Sequence, residues 1–265
     1  MLKSTFILLD GIGESTEQRL WEQGIDNWEI FLHSSDISGI PSARKELYDA
    51  SLKTAQQELE KGNARYFAHC LKSRDHWRLF ESFRDRTAFL DIETNGAPAS
   101  HGYITVVGIY GKHGMTSLIH EDTLTQSRLQ EELEKYDLLV TFFGSGFDLP
   151  YIRAQFPSLI LDHPHFDLCF AARRLGYKGG LKRIEGEFNL ERPPHIHGLD
   201  GWDAVVLWEA WRRGDHQAGS RLLEYNELDV KNLEPLAEQV FAELKQRYQP
   251  PKSTHDSRKR NLQWQ

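Results

Sequence analysis

The apolar residues in the first third of the chain recur at helical spacing. Within residues 1–35, a capping pattern at Ser15 predicts the start of one helix, and Asn27 is expected to open a second, shorter one. Apolar positions three and four residues apart then predict an αα-hairpin over residues 41–84, whose second helix runs from about Ala64 to Phe83. We therefore expect residues 1–84 to form an N-terminal helical region.

From residue 85 the pattern changes to short apolar runs that are typical of buried strands. Three strands in hairpin order precede a helix, a fourth strand and a further helix, and these elements are predicted at Thr87–Ile92, Tyr103–Tyr110, Met115–Ile119, Leu124–Lys135, Asp137–Phe142 and from about Asp148. The chain then becomes mostly helical after Phe166. This order predicts an α/β fold, a mixed β-sheet flanked by helices, over residues 85–248. The polar residues 249–265 are expected to form a flexible tail.

Composition and charge exclude several classes of protein. No apolar run approaches the roughly 18 residues of a membrane span, and the first residues do not form a secretory signal. The two cysteines, Cys70 and Cys169, are too few for a disulfide framework or a four-cysteine zinc site, and they favour free thiols in the cytoplasm. A net charge of −7 and a pI of about 6.0 argue against a protein that only coats nucleic acid, but not against an enzyme whose carboxylates hold cations.

Acidic side chains lie at the ends of the predicted strands and helices. Asp91 and Glu93 are separated by one residue, so on an extended strand both point to the same face. Asp148 follows a glycine-rich loop at the predicted start of a helix. Tyr225 and Asp229 are spaced i and i+4, so they share one helix face. Carboxylates that converge in this way are favourable when a divalent cation lies between them.

These residues stand in motifs that resemble the DEDD exonuclease superfamily. Residues 89–94 (Phe-Leu-Asp-Ile-Glu-Thr) look like its first motif, residues 143–150 are similar to its second, and Tyr225-x-x-x-Asp229 resembles the third in its tyrosine form, called DEDDy. The chain most resembles the bacterial RNase H-like domain family that includes YprB, over roughly residues 5 to 240. The resemblance implies an RNase H-like mixed sheet and 3′–5′ exonuclease activity.

The resemblance also implies a cofactor and roles for individual residues. Phosphodiester hydrolysis would use two Mg²⁺ or Mn²⁺ ions, with Asp91 as the bridging ligand and Glu93, Asp148 and Asp229 completing the set. Tyr225 would orient the attacking water rather than deprotonate it, because the ordinary pKa of tyrosine is about 10. Thr94 and Lys182 are expected to contact the substrate, a single-stranded end of DNA or RNA. A solvated surface charge is an equally good interpretation of Lys182.

The segment around Gly11 and Gly13 resembles a helix-hairpin-helix DNA-binding element, in which glycine amides contact phosphate. The residues before Gly11 are too few and too strand-like for a proper first helix. The segment therefore fits two interpretations equally well, phosphate contact by the glycines and a glycine turn that only packs helices together. A third glycine and a βαβ context are missing, which excludes a dinucleotide cofactor.

Two other functions fit the same motifs. A structure-selective endonuclease on this scaffold is one, and a non-catalytic nucleic-acid-binding module is the other. The second is supported by Phe143, which stands where related sequences often have asparagine. Because the chain is acidic overall, the substrate path is expected to be a local basic strip that includes Arg173, Arg174, Lys178, Lys182 and Arg183.

Overall fold

A computed structural model describes residues 1–250, so residues 251–265 of the predicted tail lie outside the described part. One five-stranded sheet organises the fold, with strand order β3-β2-β1-β4-β5. The strands are β1 Thr87–Thr94, β2 Ile104–Gly111, β3 Gly114–Ile119, β4 Leu138–Thr141 and β5 His165–Asp167. The first three form antiparallel pairs, while β1, β4 and β5 run parallel to one another. The predicted α/β fold class, a mixed sheet flanked by helices, is confirmed.

Helices cover both faces of the sheet. One face packs on α6 and α7 through a core that includes Leu90, Leu133 and Ile152. The opposite face carries the longest helix, α11, through a core that includes Phe89 from β1 and Val230 from the helix. The helices of this part of the chain are α6 Gln126–Leu133, α7 Asp148–Gln155, α8 Leu168–Leu175, α9 Leu181–Glu187, α10 Gly201–Arg212 and α11 His216–Tyr248.

The N-terminal region is helical, as predicted, and it shares a core with the end of α11. Its elements are α1 Glu14–Glu22, α2 Trp28–His33, α3 Ser42–Glu60, α4 Ala64–Cys70, α5 Phe80–Phe83 and the 3₁₀ helices Leu2–Ser4, Ser73–Leu79 and Arg84–Arg86. The ring centroid of Phe80 lies 5.7 Å from that of Phe166 and 5.6 Å from that of Phe241. Trp77 lies 6.0 Å from the same Phe241. Burial of these rings ties residues 1–84 to the sheet.

Two local predictions for the N-terminal region are wrong. The first helix begins at Glu14 with Gly13 as its N-cap, so Ser15 is not the cap. The capping pattern fails because Glu17 turns inward, where its carboxylate accepts a hydrogen bond from Phe6 N at 2.6 Å. The second helix of the predicted hairpin is also interrupted after Cys70. The 3₁₀ segment that follows places His76 against β5, where its Nδ1 accepts from His165 N at 3.0 Å.

The described residues include no helix that is long and apolar enough to cross a membrane. Cys169 is buried and Cys70 is half-buried, and both are free thiols, as expected from the sequence.

Gly108 on β2 lets α11 approach the sheet closely. A Cβ atom at this position would lie 2.2 Å from Asn226 Oδ1 and 2.7 Å from Val230 Cγ2, distances that real Cβ atoms do not reach. Since Gly108 is paired with Asp91 across the strands, the same close approach brings α11 over Asp91.

We expect the Gly108→Ala variant to lose about 2 kcal/mol of unfolding free energy, since an added methyl group in a packed core forces neighbouring atoms apart. Urea unfolding followed by circular dichroism measures the change. Gly186→Ala in α9 is the matched control, because a Cβ there meets nothing within 4 Å. Equal stability of the two variants would contradict the close packing of α11 on β2.

Candidate active site

Strand β1 presents its two carboxylates to the face of the sheet that α11 covers. Asp91 is paired with Gly108 and Glu93 with Val106, so both side chains project to the same side. The strand register shifts between Glu93 and Thr94, which ends the regular pairing immediately after the second carboxylate. The carboxylates therefore lie at the carboxyl end of a buried strand, next to the core, as the sequence predicted.

Helix α11 contributes the facing side chains. Tyr225 and Asp229 are both buried, at 3% and 6% exposed, one turn apart on the helix. Asn226, fully buried beside them, donates from Nδ2 to Asp91 Oδ2 at 3.0 Å. This hydrogen bond fixes the first carboxylate of β1 against the helix.

Three carboxylates converge between the strand and the helix. Asp91, Glu93 and Asp229 each offer an oxygen atom, and these atoms all lie within 4.8 Å of one another. Asp148 stands outside this group of three, although it is close enough for its charge to act on Asp91. Its Oδ1 accepts from Ile92 N at 3.1 Å, so the first residue of α7 is anchored to β1 between the two strand carboxylates.

Burial shifts the acid–base behaviour of all four carboxylates. Burial, together with the charges of Glu93, Asp148 and Asp229, holds the pKa of Asp91 well above its usual range. The pKa of Glu93 is likewise well above normal, through burial and the charge of Asp229. Burial raises the pKa of Asp148 to about 7. Four such groups cannot all ionise together without a neutralising partner, and carboxylate oxygens are ligands that suit Mg²⁺ and Mn²⁺.

Arg192, from the loop after α9, is the buried cation beside Asp229. Its Nη1 lies 2.5 Å from Asp229 Oδ1, so the two side chains form a close ion pair. Its Nε and Nη2 donate to the two oxygens of Glu185 at 2.7 and 2.6 Å. Burial raises the pKa of Asp229, while the charge of Arg192 opposes that rise.

Lys182 approaches the cluster from α9. Its Nζ donates to the hydroxyl of Tyr225 and lies 4.4 Å from the centroid of the same ring. Its positive charge acts on Asp91, Glu93 and Asp229. Lys182 is therefore not a fully solvated charge, and its contact with the substrate stays a prediction.

These residues fit divalent cations. All the converging ligand atoms are carboxylate oxygens, and they lie within 4.8 Å of one another. Lys182 and Arg192 supply two positive charges against four carboxylates, so an excess of negative charge remains at the centre. A divalent cation would neutralise it.

The loop between β4 and α7 takes its shape from Asp167 at the end of β5. The Asp167 carboxylate accepts from Phe143 N at 2.9 Å, from Ser145 N at 3.0 Å and from Ser145 Oγ at 2.6 Å. Phe143 adopts φ 65°, a left-handed conformation in which asparagine is far more common than phenylalanine. Phe143 therefore stands at a position where the backbone itself favours asparagine.

The predicted substrate-binding residues fall into two places. Thr94 ends β1 and lines a groove of about 570 Å³ together with the exposed rings of Phe147 and Trp202. Gly11 and Gly13 belong to the turn before α1, and not to the carboxylate cluster. Gly11 has φ +80°, and a Cβ there would lie 2.8 Å from Arg44 Nη2. Phosphate contact by the two glycines stays a prediction.

A family model described as the RNase_H superfamily (RNase_H_2) matches residues 88–241. This chain belongs to the RNase H superfamily. The matched span includes all four carboxylates and Tyr225 of this RNase H superfamily protein. The finer assignments, to the DEDDy type and to the family of YprB, stay predictions.

Solved structures are similar to this RNase H superfamily protein in fold. The family B DNA polymerase from the hyperthermophilic archaeon Pyrobaculum calidifontis superposes with a TM-score of 0.51 at 17% identity, over 61% of this chain and 25% of the polymerase. The chain thus spans about a quarter of the polymerase, and the likeness is one of fold alone. The apo form of a nuclease superposes with a TM-score of 0.47 at 20% identity, over 67% of this chain and 79% of the nuclease. No curated protein matches the chain.

Sequence reasoning missed two residues of this site. Asn226 stands three residues before Asp229, so helical spacing alone places it on the same face and would have found it. Arg192 lies in an irregular loop, 37 positions before Asp229, where no periodicity links it to the cluster.

Proposed function

We propose that this RNase H superfamily protein is a metal-dependent nuclease that hydrolyses phosphodiester bonds, and specifically a 3′–5′ exonuclease on DNA or RNA. The observation that carries the proposal is the convergence of half-buried Asp91 with buried Glu93 and Asp229, with buried Asp148 beside them. Burial of several carboxylates at one point is unfavourable for folding, and it persists where function requires it. The exonuclease motifs around the same residues point to phosphodiester hydrolysis.

The carboxylates would hold two Mg²⁺ or Mn²⁺ ions, with Asp91 shared between them. Cations bound there would supply Lewis-acid chemistry, which would lower the pKa of water and stabilise negative charge on the leaving oxygen. Asn226 keeps Asp91 oriented, and the backbone amide of Ile92 keeps Asp148 in place.

Tyr225 is proposed to orient the attacking water as a hydroxyl group. Burial and the charges of Asp229, Glu93 and Asp91 raise the pKa of Tyr225 far above that of a free tyrosine, so its proton stays on. Lys182 donates to that hydroxyl and brings a positive charge to the place where a phosphate would lie. Thr94 is proposed to contact the terminal nucleotide in the groove that it lines with Phe147 and Trp202.

The direct test is cleavage of end-labelled single-stranded DNA and RNA by purified protein with Mg²⁺, with Mn²⁺ or with EDTA. A metal-dependent ladder that shortens from the 3′ end is the expected result, and it also decides which sugar is preferred. Cutting of a circular single strand would replace the exonuclease by the endonuclease alternative. Intact substrates under every condition, beside a positive control that is cut, would contradict nuclease activity.

A non-catalytic nucleic-acid-binding module is the second candidate. The specific observation in its favour is Arg192, which already places an internal cation 2.5 Å from one proposed ligand. Salt-sensitive binding of nucleic acid without any response to divalent ions would favour this candidate.

We expect Mn²⁺ at about a hundredfold excess over its Kd to raise the melting temperature of the metal-free protein by about 5 °C or more, since such an excess contributes about 2.7 kcal/mol. Differential scanning fluorimetry in EDTA and in Mn²⁺ measures the shift. Asp229→Asn should lose most of the shift, whereas Asp122→Asn, which changes an exposed carboxylate in the loop after β3, should keep it. The same shift in all three proteins would place the bound ion elsewhere.

A further inference from the structure

A cleft of about 640 Å³ opens between the N-terminal helical region and α8, and we call it the β5 cleft. Its walls come from the 3₁₀ segment 73–79 on one side and from the end of β5 and α8 on the other. Residues that line it include Arg74, Ser145, Asp167, Phe170, Arg173 and Arg174. The roles proposed for the carboxylate cluster do not use this cleft, although Arg173 and Arg174 belong to the basic strip that the sequence predicts as the substrate path.

The β5 cleft lies along the same edge of the sheet as the carboxylate cluster. Strands β1, β4 and β5 are parallel, so their carboxyl ends meet at one edge, with Asp91 and Glu93 near the end of β1 and Asp167 at the end of β5. The loop after β4 joins the two places, because Ser145 lines the cleft and Asp148 is bound to β1. Three hydrogen bonds to Asp167 hold this loop in a fixed shape.

The charges in the cleft leave one arginine available. Arg74 and Arg174 contact Glu14 at 3.1 and 3.8 Å and also pair with Asp75. Within residues 1–250, Arg173 forms no ion pair with an acidic side chain. Its guanidinium instead lies 5.3 Å from the centroid of the Phe170 ring.

Two exposed aromatic rings accompany Arg173. Phe170 is 43% exposed and Phe143 is 41% exposed, and their centroids lie 5.9 Å apart. Exposed aromatic rings beside an arginine are the combination that binds single-stranded nucleic acid, since bases stack on the rings and the cation meets the phosphate. Phe143 does not itself line the cleft, but its ring lies beside that of Phe170, which does.

We propose that the β5 cleft binds the single strand on the 5′ side of the bond to be cleaved. Bases stack on Phe170 and Phe143, and Arg173 contacts a phosphate. The strand passes over the 143–147 loop, which leaves its 3′ end at the carboxylate cluster. This assignment rests on the proposed nuclease function for the polarity of the strand.

Binding of fluorescent oligo-dT and oligo-rU in EDTA tests the proposal without any cleavage. The probes are a dinucleotide and a strand of about 16 nucleotides, which is long enough to fill a single-strand binding site. We expect Arg173→Glu and Phe170→Ala each to weaken binding of the long strand about tenfold, and to leave dinucleotide binding unchanged. Arg173→Glu should also lower the slope of log K against log salt by about 0.7, the value for one phosphate that the protein no longer neutralises.

Lys112→Glu is the matched control, because it makes the same charge change in the β2–β3 turn, at the opposite end of the sheet. Melting temperatures confirm that each variant is folded. The proposal is overturned if Arg173→Glu binds the long strand as tightly as the wild type, or if it loses affinity equally for both lengths. It is also overturned if Lys112→Glu loses as much affinity, or if the wild type binds no strand at low salt. If the protein cleaves nucleic acid but the variants do not selectively weaken binding of the long strand, the β5 cleft proposal alone is refuted. If the variants weaken binding of the long strand only, but the protein cleaves no substrate, the nuclease proposal alone is refuted.

Discussion

The Asp91→Asn variant is expected to lose metal-dependent cleavage of single-stranded DNA and RNA by about 10³-fold or more. Asp91 is the proposed shared ligand, and charge stabilisation by bound cations contributes several kcal/mol to such reactions, where each step of about 1.4 kcal/mol is tenfold in rate. The change replaces one carboxylate oxygen by an NH2 group and keeps the shape of the side chain. Initial rates on a 3′ end-labelled strand, at saturating Mn²⁺, measure the effect.

The same substitution is expected to stabilise the metal-free protein by about 1 kcal/mol, or roughly 2–4 °C in melting temperature. Asp91 is surrounded by Glu93, Asp148 and Asp229, so a neutral side chain removes repulsion. The new amide oxygen can still accept from Asn226 Nδ2. A loss of stability together with a loss of activity would show a folding defect instead of a catalytic one.

Asp122→Asn controls for the loss of one negative charge, and it should cleave and melt like the wild type. Retained cleavage by Asp91→Asn, at more than about a tenth of the wild-type rate, would contradict the role of Asp91 as a shared ligand.

The sequence allowed prediction of those features that depend on local spacing. Asp91 and Glu93 lie on one face because strand side chains alternate, and Tyr225 and Asp229 share a face because a helix turns about every 3.6 residues. Asp148 was placed correctly at the start of its helix, although its bond to Ile92 N was not foreseen. Strand alternation, helical spacing and the order of the motifs were therefore sufficient to predict most residues of the carboxylate cluster.

The features that escaped prediction depend on partners distant in sequence. Strand β5 has only three residues, too few to show a periodicity. Arg192 reaches Asp229 and Glu185 from an irregular loop. Glu17 occupies a favourable capping position but is drawn into the core by Arg78, 61 residues away. In each case a tertiary contact determines the local structure, and a single sequence does not encode that contact in its spacing.

The Arg78→Met variant is expected to lose about 3–5 kcal/mol of unfolding free energy. Arg78 and Glu17 are at most 1% exposed and form two hydrogen bonds, at 3.1 and 2.9 Å. Removal of the arginine leaves the Glu17 carboxylate buried without its cation. Urea unfolding measures the loss. Arg84→Met is the matched control, because Arg84 pairs with Glu238 on the surface and such pairs contribute at most about 1 kcal/mol.

The loss in Arg78→Met should depend on pH. Burial already raises the pKa of Glu17 above its ordinary value, and Arg78 is the main group that opposes the rise. A carboxyl group whose pKa is higher in the folded state than in the unfolded state binds its proton more tightly when folded, so stability falls as the pH rises between the two values. The deficit should therefore be smaller at about pH 5.5 than at about pH 8.

Arg78→Met also tests the predicted boundary between residues 1–84 and 85–248. The Trp77 and Phe80 rings pack on Phe241 and Phe166, so the N-terminal region and the sheet share one core. Hydrogen exchange should show reduced protection in both β1 and α1 if this shared core unfolds as one unit. Reduced protection confined to residues 1–84 would instead mark that region as an independently unfolding domain.

A double variant, Glu17→Gln with Arg78→Met, should recover part of the lost unfolding free energy, because no buried charge remains. Failure to recover it would attribute the loss to packing around Trp77.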